Sequence, residues 1–383
     1  MKLDRTKVTR LIELMNSTTN GKMPAHEAIV DCFDMGMDEQ TLDFLIAVGT
    51  DIHTRDELKT IYDRMYPDKA DGWDEFWAGI MEMSFLFPTP DHKAYVLASI
   101  FPGWIECTVS GPLTEKRRKI LNRFMDFWNT LYLMNRSPMR EQLMAPSIAA
   151  AAQGKANMTT YVSRGSREIS LNQPLTSEHQ VHTGGEVFKL LERHRDEIAV
   201  MNCFCRQYKQ MNGGEKCGIG MPIEACVSMG AISSQLVESG IARRLSYDEA
   251  CQLMESFEKN GCVHTAFHYG HNVENEELVI CNCCTDCCLL YGGYQKGSLS
   301  KILVKAFYTP EMIDETRCTG CNLCGKYCPT SATYYDSDEG RLVFDYAKCV
   351  GCGQCVNQCA FDVRAMVPDE RSVFVKSKEP ANA

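Results

Sequence analysis

Close to its C-terminus the chain carries the stretch Cys318-Thr319-Gly320-Cys321-Asn322-Leu323-Cys324-Gly325-Lys326-Tyr327-Cys328-Pro329. The same cysteine spacing returns at Cys349, Cys352, Cys355 and Cys359. The two-residue gaps let a tight loop hold three thiolates around one metal centre, and the longer last gap directs the fourth thiolate away along a short helix. Glycines lie between the cysteines of both runs, where the backbone must pass close to the centre. The repeated spacing therefore predicts two neighbouring metal centres.

Two other uses of these cysteines fit the spacing less well. A zinc site takes four ligands and does not require two matching runs of cysteines. A disulfide framework needs an oxidising compartment and is usual in smaller chains. The two runs therefore favour iron–sulfur chemistry.

The two runs resemble those of bacterial two-cluster ferredoxins, in which each run supplies three thiolates to one [4Fe–4S] cluster and its fourth to the other. The resemblance implies two C-terminal clusters and single-electron transfer. One cluster is expected on Cys318, Cys321, Cys324 and Cys359, and the other on Cys349, Cys352, Cys355 and Cys328. Pro329 follows the first run, but Ala360 stands where the second run would often carry proline.

Composition limits the classes of protein to consider. The chain has 383 residues, 21 of them cysteine, and a formal net charge of −10. The length predicts two or three domains, and the acidic balance argues against a nucleic-acid or anionic-membrane surface. The sequence after Met1 lacks the apolar core of a signal peptide, and no stretch reaches the roughly 18 apolar residues of a membrane span. We expect a cytoplasmic protein with reduced or metal-bound cysteines.

The patterns along the chain predict an α+β protein of three domains. Residues 1–150 show amphipathic helices, including one that begins with a capping box at Thr54, and a short strand or wing near Tyr95. This order resembles a winged-helix domain, interpreted as a docking or dimerisation module. Residues 151–304 form a cysteine-rich α/β domain, with a second capping box at Ser246, and residues 305–383 form the ferredoxin-like domain.

A basic patch lies on the long helix predicted before residue 135. It consists of Arg117, Arg118, Lys119 and Arg123. A nucleic-acid surface is one interpretation of this patch, but we favour a solvated helix face because the chain is acidic overall.

The middle of the chain holds a second concentration of cysteines. Nine of them are candidate metal ligands: Cys203, Cys205, Cys217, Cys226, Cys281, Cys283, Cys284, Cys287 and Cys288. Two strands, near Val200 and Val279, are predicted to deliver them, with Cys203 and Cys205 on one face of the first. Arg206 would favour the thiolate forms. We predict one or two further iron–sulfur clusters in residues 203–288; the alternative is a set of buried free thiols.

The adjacent pairs Cys283-Cys284 and Cys287-Cys288 are awkward as single corners of one cubane cluster. They resemble the paired cysteines that bind non-cubane clusters in heterodisulfide reductase subunits, although the spacing there is longer. Taken with the C-terminal runs, residues 195–365 are similar to multi-cluster, 4Fe-4S ferredoxin-type iron–sulfur-binding domain proteins of strict anaerobes. That resemblance implies a soluble electron carrier from an anaerobe, with extra clusters.

Other candidate residues have simpler interpretations. His264, His268 and His271 lie close together and could bind a metal or relay protons, but hydrogen-bonded core or surface histidines are the favoured reading. Cys32, Cys107 and Cys251 stand alone on helical patterns and are predicted to be packing residues.

Three functions remain open at this point. The favoured one is an electron-transfer protein that serves redox partners such as a ferredoxin or oxidoreductase subunits, with a homodimer formed through the N-terminal domain as one arrangement. A second is a reductase with an atypical cluster as its active site in the middle domain. A third is a redox-sensing winged-helix regulator. The sequence has no G-x-G-x-x-G nucleotide fingerprint, and it assigns no catalytic residues.

Overall fold

The structure is a computed structural model that describes residues 2–19, 22–133, 149, 158–165, 186–213, 217–273, 275–295 and 302–375. In these residues the predicted mixture of helix and strand is confirmed. A helical N-terminal region packs on one face of an eight-stranded sheet, and the cysteine runs near the C-terminus lie on loops at one edge of that sheet.

The N-terminal region contains seven α-helices within the described residues: α1 (Arg5–Ser17), α2 (Glu27–Gly36), α3 (Glu39–Val48), α4 (Arg55–Met65), α5 (Trp73–Glu82), α6 (Ile105–Val109) and α7 (Glu115–Leu133). The capping box at Thr54 is confirmed at the start of α4. Strands β1 (Leu86–Pro88) and β2 (Tyr95–Leu97) form an antiparallel hairpin. A bridge joins His53 to Tyr95, and the winged-helix likeness itself stays a prediction.

The basic patch does not form the fully solvated face that we predicted. Arg117 is buried, and its guanidinium donates to the carbonyl of Pro112 at 3.3 Å. Arg123 donates to the Asp31 carboxylate at 2.8 Å. Because these two arginines are buried or paired, the patch offers less free positive charge than its sequence indicates.

The central sheet has the strand order β12-β9-β3-β7-β8-β5-β4-β6. Its strands are β3 (Met158–Tyr161), β4 (Ile198–Asn202), β5 (Glu224–Met229), β6 (Arg243–Leu245), β7 (Val263–His268), β8 (Glu277–Cys283), β9 (Ile302–Met312) and β12 (Arg364–Val375). All neighbours are antiparallel except β3 and β9. The strands predicted near Val200 and Val279 are therefore confirmed as β4 and β8.

The remaining elements are α8 (Glu186–Arg193), α9 (Phe204–Gly213), α10 (Ala231–Glu238), α11 (Tyr247–Lys259), α12 (Tyr291–Gln295), α13 (Leu323–Tyr327), α14 (Gln354–Asn357) and the hairpin β10 (Thr333–Asp336) and β11 (Arg341–Phe344). Helices α8 and α11 pack on one face of the sheet. Helix α10 and the N-terminal helices pack on the other, where they share one core with Met201, Cys226 and Val279. Both faces are thus covered around the middle cysteines.

The sheet continues into the C-terminal cysteine region. Strand β9 pairs with β3 on one side and with β12 on the other, and the predicted boundary between residues 304 and 305 falls inside β9. Helix α14 also contacts the end of α11: Gln354 donates to the carbonyl of Cys262 at 2.7 Å, and Asn357 donates to that of Glu258 at 3.1 Å. These contacts fix the C-terminal loops against the middle cysteines.

No helix in the described ranges combines the length and the apolar character that crossing a membrane requires.

We expect Ser246→Ala to loosen the start of α11. Ser246 accepts from the backbone N–H of Glu249, and the Glu249 carboxylate accepts from that of Ser246, so the predicted capping box is present. Loss of a helix cap costs about 1 kcal/mol, which corresponds to roughly fivefold faster local opening. Hydrogen exchange of the amides in the first turn of α11 measures this change. Ser256→Ala, at an exposed site on the same helix, is the control; equal exchange rates in both variants would contradict the assignment.

Candidate metal centres

The two C-terminal cysteine runs fold into loops of matching local structure. Gly320 and Gly351 lie between the first two cysteines of each run and have φ values of 72° and 71°. Asn322 and Gly353, also left-handed, precede the short helices α13 and α14. The positive φ values turn each loop back on itself, which favours glycine at these positions.

We call Cys318, Cys321, Cys324 and Cys359 the outer group. All four line a single cavity, together with Leu323, Phe361 and Arg364. Cys321 is exposed, whereas burial raises the pKa of Cys324 above its ordinary value. The cavity reaches the surface at Cys321, so this group is accessible from outside the protein.

We call Cys328, Cys349, Cys352 and Cys355 the inner group. All four are buried, and they lie close enough to influence one another's charge. The backbone N–H of Ala332 donates to Cys328 Sγ at 3.1 Å, and that of Gly351 donates to Cys349 Sγ at 3.4 Å. Such donors are typical of thiolates that bind clusters. Cys355 also lines the cavity of the outer group, so the two groups are neighbours.

The structure thus brings Cys359 to the first run and Cys328 to the second, as an exchange of fourth ligands requires. Burial raises the pKa of Cys355 to about 12 and also raises that of Cys349. A buried thiol of this kind stays protonated unless a metal ion compensates the charge of its thiolate. The donor sets therefore fit [4Fe–4S] clusters, and the ligand role of each cysteine stays a prediction.

The middle cysteines separate into two groups. The six-cysteine group contains Cys203, Cys205, Cys226, Cys281, Cys283 and Cys288, whose thiols form a chain of neighbours. Cys226 on β5 faces Cys281 on β8, with their sulfurs 3.5 Å apart. Hydrogen bonding to Cys205 lowers the pKa values of Cys203 and Cys288 below the ordinary thiol value, whereas thiol hydrogen bonds and burial raise the pKa values of Cys205 and Cys281.

The prediction that Cys203 and Cys205 share one face of a strand is wrong. Strand β4 ends at Asn202, where its register with β5 shifts, and α9 begins at Phe204. Cys205 therefore lies in the first turn of a helix. The two thiols still meet, because a bulge at a strand end redirects the chain and Cys203 stays hydrogen-bonded to Cys205.

The three-cysteine group contains Cys217, Cys284 and Cys287, whose sulfurs all lie within 4.8 Å of one another. The Sγ atoms of Cys217 and Cys284 are 3.9 Å apart, and the backbone N–H of Cys287 donates to Cys284 Sγ at 3.2 Å. Hydrogen bonds from Cys217 and Cys287 hold the pKa of Cys284 far below its ordinary value. These three sulfurs can therefore act together on one centre.

Each adjacent cysteine pair is divided between the two middle groups. Cys283 and Cys288 pack with Val263 and Tyr291, whereas Cys284 and Cys287 belong to the core under α8 and α11. Because neighbouring residues in extended backbone point to opposite faces, Cys283 and Cys284 diverge at the end of β8. The two members of each adjacent pair therefore lie in different groups.

Arg206 lies between the middle groups and is almost fully buried. Its guanidinium donates to the carbonyls of Pro222 and Asn282 at 2.9 Å and to Cys262 Sγ at 3.7 Å, and it lies over the ring of Phe257. Its Nε has no partner among the described atoms. Burial acts to lower the pKa of Arg206, but nearby thiolates raise it above its ordinary value. A buried cation here compensates the negative charge of the cysteines.

His264 and His268 are hydrogen-bonded in the core of the middle region. His264 is buried, with Nδ1 2.6 Å from Asn282 Oδ1 and Nε2 3.2 Å from Glu258 Oε1. His268 is buried on the same strand, 2.9 Å from Thr159 Oγ1. Both are therefore hydrogen-bonded core histidines, which is the interpretation that we favoured from the sequence. Cys32 and Cys107 are likewise buried in the N-terminal core.

Two residues near the cysteines were not predicted from the sequence. Tyr291 is buried and lies close to Cys283 of the six-cysteine group and to Cys352 of the inner group. Arg371 donates to the carbonyl of Cys349 at 2.7 Å. Neither has a sequence signal, because both reach the cysteines through long-range packing.

Residues 311–360 match the family model of the 4Fe-4S dicluster domain. No curated protein and no solved structure matches the chain. The match and the grouped cysteines define a ferredoxin-type iron–sulfur domain at the C-terminus, attached to a larger cysteine-rich protein.

We expect Arg206→Met to lower metal loading of the middle region and to leave the C-terminal domain intact. Removal of one partner of a buried charge pair costs about 3–5 kcal/mol, and the methionine keeps the packing on Phe257. Iron content and electron paramagnetic resonance of anaerobically purified protein measure the effect. Arg243→Met, which removes an exposed pair with Glu224, is the control. Full iron content in the Arg206 variant would show that the guanidinium does not support metal binding.

Proposed function

We propose that this protein transfers single electrons through two C-terminal [4Fe–4S] clusters to an iron–sulfur cluster on the six-cysteine group. The observation that carries the proposal is one shared core: Cys283 and Cys288 of the six-cysteine group pack with Cys352 of the inner group around Tyr291. Clusters bound by cysteines of one packed core would be neighbours, which supports electron transfer between them.

Electrons enter at the outer group. Cys321 is exposed, and Leu323 and Phe361 in the same cavity are exposed apolar side chains. A redox partner, such as a ferredoxin or an oxidoreductase subunit, would dock over this cavity because exposed apolar surface beside a cofactor favours transient association.

The inner group would hold the second cluster along the electron path. Cys355 of the inner group also lines the cavity of the outer group, and Cys352 lies close to Tyr291. Its burial, the backbone donors and the guanidinium of Arg371 would tune the potential of its cluster, since hydrogen bonds to sulfur and solvent exposure set such potentials.

The N-terminal region protects the end of this path. Phe101 and Phe124 contact Phe204 at the start of α9, and Gln207 donates to the carbonyl of Val109 at 2.6 Å. The helices thereby cover Cys205 and Cys226 and keep water away from their cluster. We also propose that the rest of this region has winged-helix topology. It would serve to dock a partner or to form a dimer.

A cytoplasmic location in an anaerobe suits this chemistry. An exposed cluster at Cys321 would be open to oxidation, and a reducing compartment keeps the buried thiols available for metal. The electron acceptor would be a partner oxidoreductase.

The decisive experiment is Cys352→Ser, with Cys251→Ser as the control. A reduced ferredoxin donor is mixed with each protein, and freeze-quench electron paramagnetic resonance follows each cluster. In the Cys352 variant we expect normal reduction of the outer cluster and reduction of the middle cluster that is slower by at least about tenfold, because the inner step is damaged. The control variant changes a cysteine outside all four groups and should behave like the original protein.

Two results would contradict the proposal. One is an iron content no higher than the roughly eight atoms per chain of two cubane clusters, which would leave no middle cluster. The other is unchanged reduction of the middle cluster in the Cys352 variant, which would place the electron path elsewhere.

A further inference from the structure

We propose that Cys217, Cys284 and Cys287 bind a single zinc ion at a site separate from the electron path. Zinc binds thiolates at about 2.3 Å in tetrahedral geometry, so sulfurs on one ion lie about 3.8 Å apart. The separation of 3.9 Å between Cys217 and Cys284, with all three sulfurs within 4.8 Å of one another, fits this arrangement.

The ferredoxin-type cysteines provide an internal comparison. In a cubane cluster each thiolate binds a different iron atom, so the ligands are spread around the cube. In the outer, inner and six-cysteine groups, as far as the structure describes them, no three cysteines come as close together as the three-cysteine group does. The six-cysteine group contains one close pair, Cys226 and Cys281, with sulfurs 3.5 Å apart, but among the described residues only the three-cysteine group brings three sulfurs as close together as one ion requires.

The local sequence and its hydrogen bonds also suit zinc. Cys284 and Cys287 are separated by two residues, a spacing common in zinc sites, and the backbone N–H of Cys287 bonds Cys284 Sγ. Asp286 lies beside them: its carboxylate is 3.3 Å from Cys287 Sγ and accepts from Lys209 at 2.6 Å and from the backbone N–H of Gly218 at 2.7 Å. Because Asp286 holds the backbone N–H of Gly218, the residue after Cys217, it fixes the loop that carries Cys217 beside Cys284 and Cys287, as outer partners of metal ligands do.

Charge is balanced around such an ion. Three thiolates and a divalent ion carry one net negative charge, and Arg206 lies close to both Cys217 and Cys284. With three protein ligands the fourth position takes an exchangeable water, as in zinc sites that act on substrates. Since zinc has no redox chemistry, the site would not extend the electron path.

The experiment is metal analysis of anaerobically purified full-length protein, joined to X-ray absorption at the zinc edge. We expect about one zinc per chain, bound by three sulfurs and one lighter atom. Cys284→Ser should lose that zinc and keep its iron, whereas Cys283→Ser, at the neighbouring residue, should lose iron and keep zinc. Substoichiometric zinc, or loss of iron in the Cys284 variant, would overturn the proposal.

A second variant, which keeps all the cysteines, tests the zinc site if Cys284→Ser does not fold. Asp286→Ala keeps all three thiolates but removes the acceptor that holds Gly218 beside Cys217, and it should weaken zinc binding by about 10- to 100-fold, measured by competition with a chelator. Unchanged zinc affinity would count against the site. The spectra of the C-terminal clusters report independently on the electron path, so failure of the zinc site and failure of the proposed function give different results.

Discussion

The alternation of side chains along strand β8 is the constraint on which the middle region depends. Cys281 and Cys283 point to one face of the sheet, and Asn282 points to the other, where it contacts His264 and the carbonyl of Ala225. At the end of the strand Cys284 continues the alternation and joins the opposite core. A single run of closely spaced cysteines can therefore supply two centres without rearranging the backbone.

Burial makes the charge of a thiolate in the cysteine groups costly, so that charge must be compensated. A thiolate without compensation is costly in an apolar core, and the raised pKa values of Cys349 and Cys355 express that cost. Arg206 supplies a charge between the middle groups, and backbone N–H groups supply partial charges around the C-terminal groups. Metal bound at these groups, as we propose, would compensate the remaining thiolate charge and would couple folding of these regions to metal binding.

Local features were predictable from the sequence because they depend on neighbouring residues. The capping boxes at Thr54 and Ser246 follow from short-range chemistry and were found where expected. The grouping of Cys359 with the first run followed from resemblance to ferredoxins. The turn that takes Cys205 off its predicted strand depends on the register of β4 with β5, which the sequence alone does not reveal.

Features formed by distant segments were not predictable. The contact of Tyr291 with the cysteines and the division of the adjacent pairs both require knowledge of the sheet order. Because β9 belongs to the same sheet as β8, the spacing between the inner group and the six-cysteine group is set by covalent and hydrogen-bonded structure instead of by the meeting of two mobile domains. In the proposed function, electron transfer between the groups would then be first order in protein and insensitive to solvent viscosity, and only the encounter with an external donor would respond to diffusion.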